Sequence, residues 1–156
     1  MHELILLRHA EATPHGKDGK DDRERTLTPH GRAEAQAAGQ WLEIEGVAYD
    51  RILCSPSFRT KETAALALGK IEPIYDDAIY DATVGTLYDV LDKNSDADCV
   101  VLVGHNPGIE QLVAFLVDGR SEDYRGMPPA GIARIRFEGP LNPGTGELLE
   151  FWSPPN

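Results

Sequence analysis

Leu4-Ile5-Leu6-Leu7 is an unbroken run of large aliphatic side chains that stops abruptly at Arg8 and His9. A strand with one face in water alternates polar and apolar residues. A strand that does not alternate is buried on both faces, and such strands lie in parallel sheets between layers of helix. Cys99-Val100-Val101-Leu102-Val103-Gly104 repeats the pattern and ends in His105-Asn106-Pro107-Gly108. Open α/β sheets bind their ligands beyond the carboxyl ends of the strands. Arg8, His9 and His105 are therefore delivered to the one edge where chemistry is expected. Taken singly, these are an ordinary loop Arg and two structural His residues. On two buried strands of one sheet they read as a site.

The segments between these strands have the punctuation of helices. Thr28-Pro29 reads as an N-cap followed by the first helical residue, with Gly31, Ala35, Ala38 and Leu42 on one narrow face and Gly46 as the stop. Arg51–Cys54 is a short strand. Ser55 and Pro56 then read as the N-cap and first residue of a second helix, which Gly69 ends. That places Arg59 in the first turn, where a cation is unfavourable by about 0.3–1 kcal/mol, so its presence points to an anion nearby. An extended piece within Pro73–Tyr80 precedes an amphipathic helix marked by Val84, Leu87, Tyr88 and Leu91. Asp81, between the two, is either a cap or a carboxylate on the rim of the crevice. Asn106 and Pro107 read as the N-cap and first residue of a helix carrying Ile109, Leu112, Val113, Leu116 and Val117. Gly131–Phe137 and Glu147–Trp152 then form an antiparallel hairpin joined through Gly139–Gly146. The expected fold is a three-layer α/β/α sandwich, with a mainly parallel sheet closed by a C-terminal antiparallel hairpin. It has no cap domain, and residues 1–156 form a single domain.

Two stretches resist assignment. Glu11–Arg25 is rich in Gly, Lys and Asp without apolar period, and it starts at the candidate site. Such a loop inside a compact domain is usually functional, and a flap over the site is expected, with Arg25 at its ordered end. His15, in mid-loop, and His30, in the first turn of the first helix, read as solvated. Gly119–Pro129 is the second irregular stretch.

A formal net charge of −11 with no basic tract excludes nucleic acid and anionic membrane as partners. Any anion must then be held by a local concentration of cations. Cys54 and Cys99 lie in apolar runs and read as buried thiols in a reducing compartment. No secretory signal or membrane-length apolar run is apparent, so the expectation is a cytoplasmic protein, and a monomer.

Two guanidiniums, two imidazoles and two helix N-termini on one edge suit a compact dianion, phosphoryl above all. An imidazole in line with phosphorus can attack it, forming a phosphohistidine intermediate while the cations offset the oxygens' charge. Close-set metal ligands are lacking, and no metal or cofactor is expected. Leu7-Arg8-His9-Ala10, Ser55-Pro56-Ser57-Phe58-Arg59-Thr60 and Val103-Gly104-His105-Asn106-Pro107 resemble the motifs of the histidine phosphatase superfamily. The chain's length and Arg25-Thr26-Leu27-Thr28-Pro29-His30-Gly31 are most similar to its SixA branch, the phosphohistidine phosphatases.

The resemblance implies that His9 is the nucleophile and that Arg8, Arg59 and His105 hold and polarise the phosphoryl group. Arg25 reaches in from the flap, Asn106 adds to the substrate site, and Asp81 aligns loosely with the catalytic acid of larger members. Ala10 departs from the usual Gly and would cost about 1 kcal/mol of strain if the backbone there needed positive φ. A phosphate or sulfate ion is expected in the pocket. The implied substrate is phosphohistidine on a protein such as a histidine-containing phosphotransfer domain. The alternatives are a phosphomonoesterase acting on a small metabolite and a non-catalytic phosphate-binding module.

Overall fold

Alternate side chains of β1 (Glu3–Arg8) enter two different cores, and that alternation sets the layering. Leu4 and Leu6 face one side, and Ile5 and Leu7 the other; all four are fully buried. The computed structural model describes residues 1–14, 21–121 and 126–155. Its other elements are α1 (Pro29–Ile44), β2 (Arg51–Cys54), α2 (Phe58–Ala67), β3 (Ile74–Tyr75) and α3 (Val84–Asp92). They continue with β4 (Cys99–Gly104), α4 (Gly108–Asp118), β5 (Ile132–Arg136) and β6 (Glu147–Trp152).

The strands form one sheet in the order β3-β2-β4-β1-β5-β6. The first four are mutually parallel, and β5 and β6 add antiparallel. Ala35, Ala38 and Leu42 of α1 and Ala64 and Ala67 of α2 pack with Ile5, Leu7, Val101 and Val103 on one face. Leu87, Val90 and Leu91 of α3 and Ile109, Leu112, Val113 and Leu116 of α4 pack with Leu4, Leu6, Val100 and Leu102 on the other. The predicted three-layer α/β/α sandwich with its terminal hairpin is thus the observed fold. Burying each such Leu or Ile contributes about 1.5–3 kcal/mol, which makes β1 and β4 the rigid base of the sheet.

Register brings the ends of three strands together. Arg8 pairs with Gly104 and Cys54 with Val103, so the residues that follow, His9, His105 and Ser55, emerge side by side. The His9 amide donates to the Gly104 carbonyl and the Ser55 amide to the Val103 carbonyl, each at 3.1 Å. The next stretch of chain is pinned by α1. Thr28 caps the helix by accepting from the Gly31 amide at 3.0 Å and donates to Glu11 Oε1 at 2.7 Å. A Cβ on Gly31 would lie 2.0 Å from the Glu11 carbonyl oxygen, so only Gly permits this approach.

Several local readings are corrected. Ser57 rather than Ser55 caps α2, accepting from the Thr60 amide, because the chain bends at Pro56 and Ser57 before the helix begins, and Leu68 rather than Gly69 closes it. The helix after β4 starts at Gly108, with Pro107 at the capping position. Asn106 Oδ1 still accepts from the Glu110 amide at 3.3 Å. Thr83 caps α3, so Asp81 is not its cap; Asp81 sits instead at φ 53°, a left-handed conformation Asp tolerates better than most residues. Ala10 is not among the positive-φ residues, so the Gly-to-Ala departure carries no such strain. The described part of the 11–25 loop is not structureless. Ala12 bridges to Leu27 and Asp22–Glu24 forms a short 3-10 turn. His15 and any flap over residues 15–20 lie outside the described residues. His30 is exposed, as expected. Among the described residues no helix is long and apolar enough to cross a membrane.

Candidate active site

His9 is fixed by a carbonyl. Its Nδ1 lies 2.7 Å from the Ala10 oxygen, and since a carbonyl only accepts, Nδ1 carries the proton. Nε2 is left with a bare lone pair. Burial, with the charges of Arg59, Arg8 and Arg25 adding to it, depresses the His9 pKa to about 4 against the pull of the Ala10 carbonyl. The ring is therefore neutral at neutral pH. His105 is its neighbour, with ring centroids 5.4 Å apart and planes tilted by 59°. Burial first, and then His9 and Arg59, lower the His105 pKa to about 3. The His105 ring also meets the Tyr80 ring nearly at right angles, centroid to centroid 5.5 Å.

The cations are held from behind. Arg8 donates from Nη1 to the Met127 carbonyl at 2.7 Å, and Asn106 Nδ2 donates to the same oxygen at 3.0 Å. Arg59, only 6% exposed, donates from Nη1 to the Asp22 carbonyl at 2.7 Å and from Nη2 to Asp22 Oδ2 at 3.0 Å. Arg25 donates to Asp22 Oδ1 at 3.0 Å and through Nε to the Thr13 carbonyl at 2.7 Å, and Tyr80 gives its hydroxyl proton to Asp22 Oδ2. Burial alone would raise the Asp22 pKa. The hydrogen bonds from Tyr80, Arg25 and Arg59 outweigh it and hold the carboxyl well below the usual carboxylate range.

Three buried side-chain nitrogens nevertheless have no hydrogen-bond partner among the described residues: Arg8 Nε, Arg59 Nε and His105 Nδ1. Buried polar atoms in native proteins are nearly always hydrogen-bonded, so each orphan needs a reason. All three belong to side chains of one constellation around His9. Asp22, Arg59, Tyr80, Asp81, His105 and Asn106 line an adjoining depression of about 310 Å³. Among the described residues no group of three His, Cys, Asp or Glu side chains gathers as a metal site would require.

A sequence model described as Histidine phosphatase superfamily (branch 1) matches residues 4–89, more than half the chain. The chain belongs to the histidine phosphatase superfamily. It is 30% identical to an uncharacterized protein of Mycobacterium tuberculosis over 95% of this chain and 99% of that one. The phosphohistidine phosphatase SixA of Escherichia coli is 26% identical over 76% of each chain. A solved structure from Nakamurella multipartitia, classed as a SixA-type phosphohistidine phosphatase, superposes with a TM-score of 0.86 at 30% identity. That match covers 98% of this chain and 96% of that one. Within the superfamily the chain is SixA-like.

In this histidine phosphatase the structure brings Arg8, His9, Arg59, His105, Asn106 and Arg25 together. Asp81 lines the same depression but is exposed and makes no hydrogen bond among the described residues. Four contributors went unanticipated: Asp22, Tyr80, Ser55 and the Met127 carbonyl. Asp22 and Arg25 stand three apart, a spacing that suits an ion pair on a helical turn, and this was the one available signal. The Met127 carbonyl leaves no trace in a sequence.

Proposed function

We propose that this protein is a metal-independent phosphatase that works through a phosphohistidine intermediate on Nε2 of His9, and that its substrate is phosphohistidine on another protein. The observation that carries this reading is the set of three buried nitrogens, unpartnered among the described residues, around a neutral His9. Nitrogen donors that the protein leaves unmet, with two guanidiniums among them, match the oxygens of a phosphoryl group. In the first step the Nε2 lone pair attacks phosphorus while the bond to the leaving group breaks. Arg8, Arg59 and His105 take the charge on the equatorial oxygens. In the second step water attacks the phosphohistidine, its P–N bond breaks, and inorganic phosphate leaves with Nε2 restored.

The substrate choice rests on proton supply. An alkoxide leaving group gains typically about 10²–10⁴-fold from a positioned acid. Asp22 is held ionised by the hydrogen bonds from Arg25, Arg59 and Tyr80 and has no proton to give. Asp81 is unanchored at the rim. An imidazole leaving group is itself readily protonated near neutral pH and does not need either. Asp81 is also the feature that favours the alternative, a small phosphate ester, since a carboxyl lining the depression is where an acid would act.

The test is turnover measured side by side on a phosphohistidine protein and a panel of phosphate esters, with labelled phosphate trapped on the enzyme by rapid acid-free quenching. We expect the phosphohistidine protein to have the highest kcat/KM and the label to sit on His9. Faster turnover of a small ester would move the substrate to that class, turnover without label on His9 would remove the phosphohistidine intermediate, and the absence of both turnover and label would leave only a phosphate-binding module.

A further inference from the structure

Ser55 is the first residue beyond β2, and it is fully buried. Its backbone is locked at both ends. The amide donates to the Val103 carbonyl at 3.1 Å, and its carbonyl accepts from Thr60 Oγ1 at 2.6 Å. Its hydroxyl has a single partner among the described residues, His105 Nε2 at 2.7 Å. It does not cap α2, a role that Ser57 fills.

Proton accounting settles the direction of that hydrogen bond. A hydroxyl has one proton to give, and a neutral imidazole has one donor and one acceptor nitrogen. Were Nε2 to donate, the Ser55 proton would be buried with no acceptor and Nδ1 would be a buried acceptor with no donor. Were Ser55 to donate, the ring proton would lie on Nδ1 and a single group would remain unmet. The second arrangement leaves one orphan instead of two, and that orphan is an N–H. With it, all three buried unpartnered nitrogens of the constellation become donors, which is what a phosphoryl group requires.

We propose that Ser55 is a positioning residue for the phosphoryl site: its hydroxyl fixes His105 in the Nδ1–H tautomer, so that this ring enters the reaction as a hydrogen-bond donor and not as a second nucleophile. The step rests on the phosphatase reading above. The two imidazoles then differ because their neighbours differ. The Ala10 carbonyl takes the Nδ1 proton of His9 and bares Nε2 for attack. The Ser55 hydroxyl occupies Nε2 of His105 and reserves the Nδ1 proton for an oxygen of the substrate. The opposite tautomer of His105 would turn a lone pair toward that oxygen, an electrostatic repulsion in place of a hydrogen bond.

The experiment is ¹⁵N–¹H NMR of the ligand-free protein labelled at histidine, with the His105→Asn spectrum identifying the signal, for wild type, Ser55→Ala and Ser55→Thr. Wild-type His105 should show a protonated Nδ1 and a bare Nε2 at pH 7. Ser55→Ala should shift the ring toward Nε2 protonation and lower kcat/KM by about 10–100-fold, less than the roughly 10²–10³-fold lost when a donor to the transition state is removed outright. Ser55→Thr, which keeps the hydroxyl, should restore both. A wild-type ring protonated on Nε2 would overturn the proposal even if the Ala variant fails to fold. So would a Ser55→Ala protein with unchanged tautomer and rate. The spectrum is read without substrate, so a failure of the phosphatase reading would show in turnover and leave the tautomer result standing.

Discussion

Replacing Arg59 with Lys separates the two tasks of this side chain. The far end of the guanidinium is engaged by Asp22, with Nη1 on its carbonyl at 2.7 Å and Nη2 on its carboxylate at 3.0 Å. The inner edge, with Nε, has no partner among the described residues. A Lys ammonium is a point charge on a flexible stem and cannot face both ways. It keeps attraction to Asp22 but loses the inner-edge N–H. A hydrogen bond with a charged partner contributes about 1.5–3 kcal/mol. Because about 1.4 kcal/mol of barrier is tenfold in rate, the Lys variant should lose roughly 10–150-fold in kcat/KM. Arg59→Ala, which also removes the charge, should lose more. Since Lys preserves the charge opposite Asp22, stability should drop by only about 1 kcal/mol, or about 2–4 °C in Tm for a chain of this size. The assays are kcat/KM on a phosphohistidine protein and an aryl phosphate, and thermal melts with and without inorganic phosphate. Wild type should melt higher with phosphate, because a ligand of the folded state stabilises by mass action, and the Arg59→Lys variant should show a smaller rise. Equal kcat/KM for Lys and Arg at this position, with an undiminished phosphate shift, would refute the two-edged role.

Further outcomes follow from the same geometry. His9→Ala should abolish turnover with the fold intact, since the side chain lies at a strand end; more than a few per cent of residual activity would remove His9 as nucleophile. The folded pKa values of His9 and His105, about 4 and about 3, lie below the unfolded value of 6.5, so between pH 6.5 and 4 the unfolded chain binds more protons and stability falls as pH falls. The slope of urea midpoint against pH over that window should be smaller in His9→Ala; an unchanged slope would show that the ring is not buried neutral. Asp81→Asn should cost little on a phosphohistidine protein and clearly more on an alkyl phosphate, and a large loss on both would make Asp81 a general acid. Chelators should leave turnover unchanged; loss of activity restored by one added metal would contradict a site whose charge comes from Arg side chains.

Sequence pattern alone carried the layering and the location of the site. Leu4–Leu7 and Cys99–Gly104 are too apolar to face water on either side, and burial on both faces compels helices above and below. That in turn puts Arg8, His9 and His105 at one edge. These are consequences of local composition and period, which a sequence displays directly. Helix starts were legible only to within a turn. Ser55-Pro56-Ser57 holds two side chains able to cap, and the choice between them was made by tertiary packing: the β2–β4 register carries Ser55 to His105 and leaves Ser57 to the helix. Asp81 departs from a capping role for a related reason, because Thr83 two residues on caps equally well and the backbone at Asp81 turns into the left-handed region instead. What only the folded chain decided are the partners of the charged groups. Asp22 reaches Arg59 across 37 positions and Tyr80 across 58, and the Met127 carbonyl reaches Arg8 across 119. Side chains and carbonyls so far apart meet through sheet register and loop path, and no periodicity records such meetings. The sequence therefore names the candidate groups, whereas the proton each imidazole carries depends on which oxygen the fold sets beside it, Ala10 for His9 and Ser55 for His105.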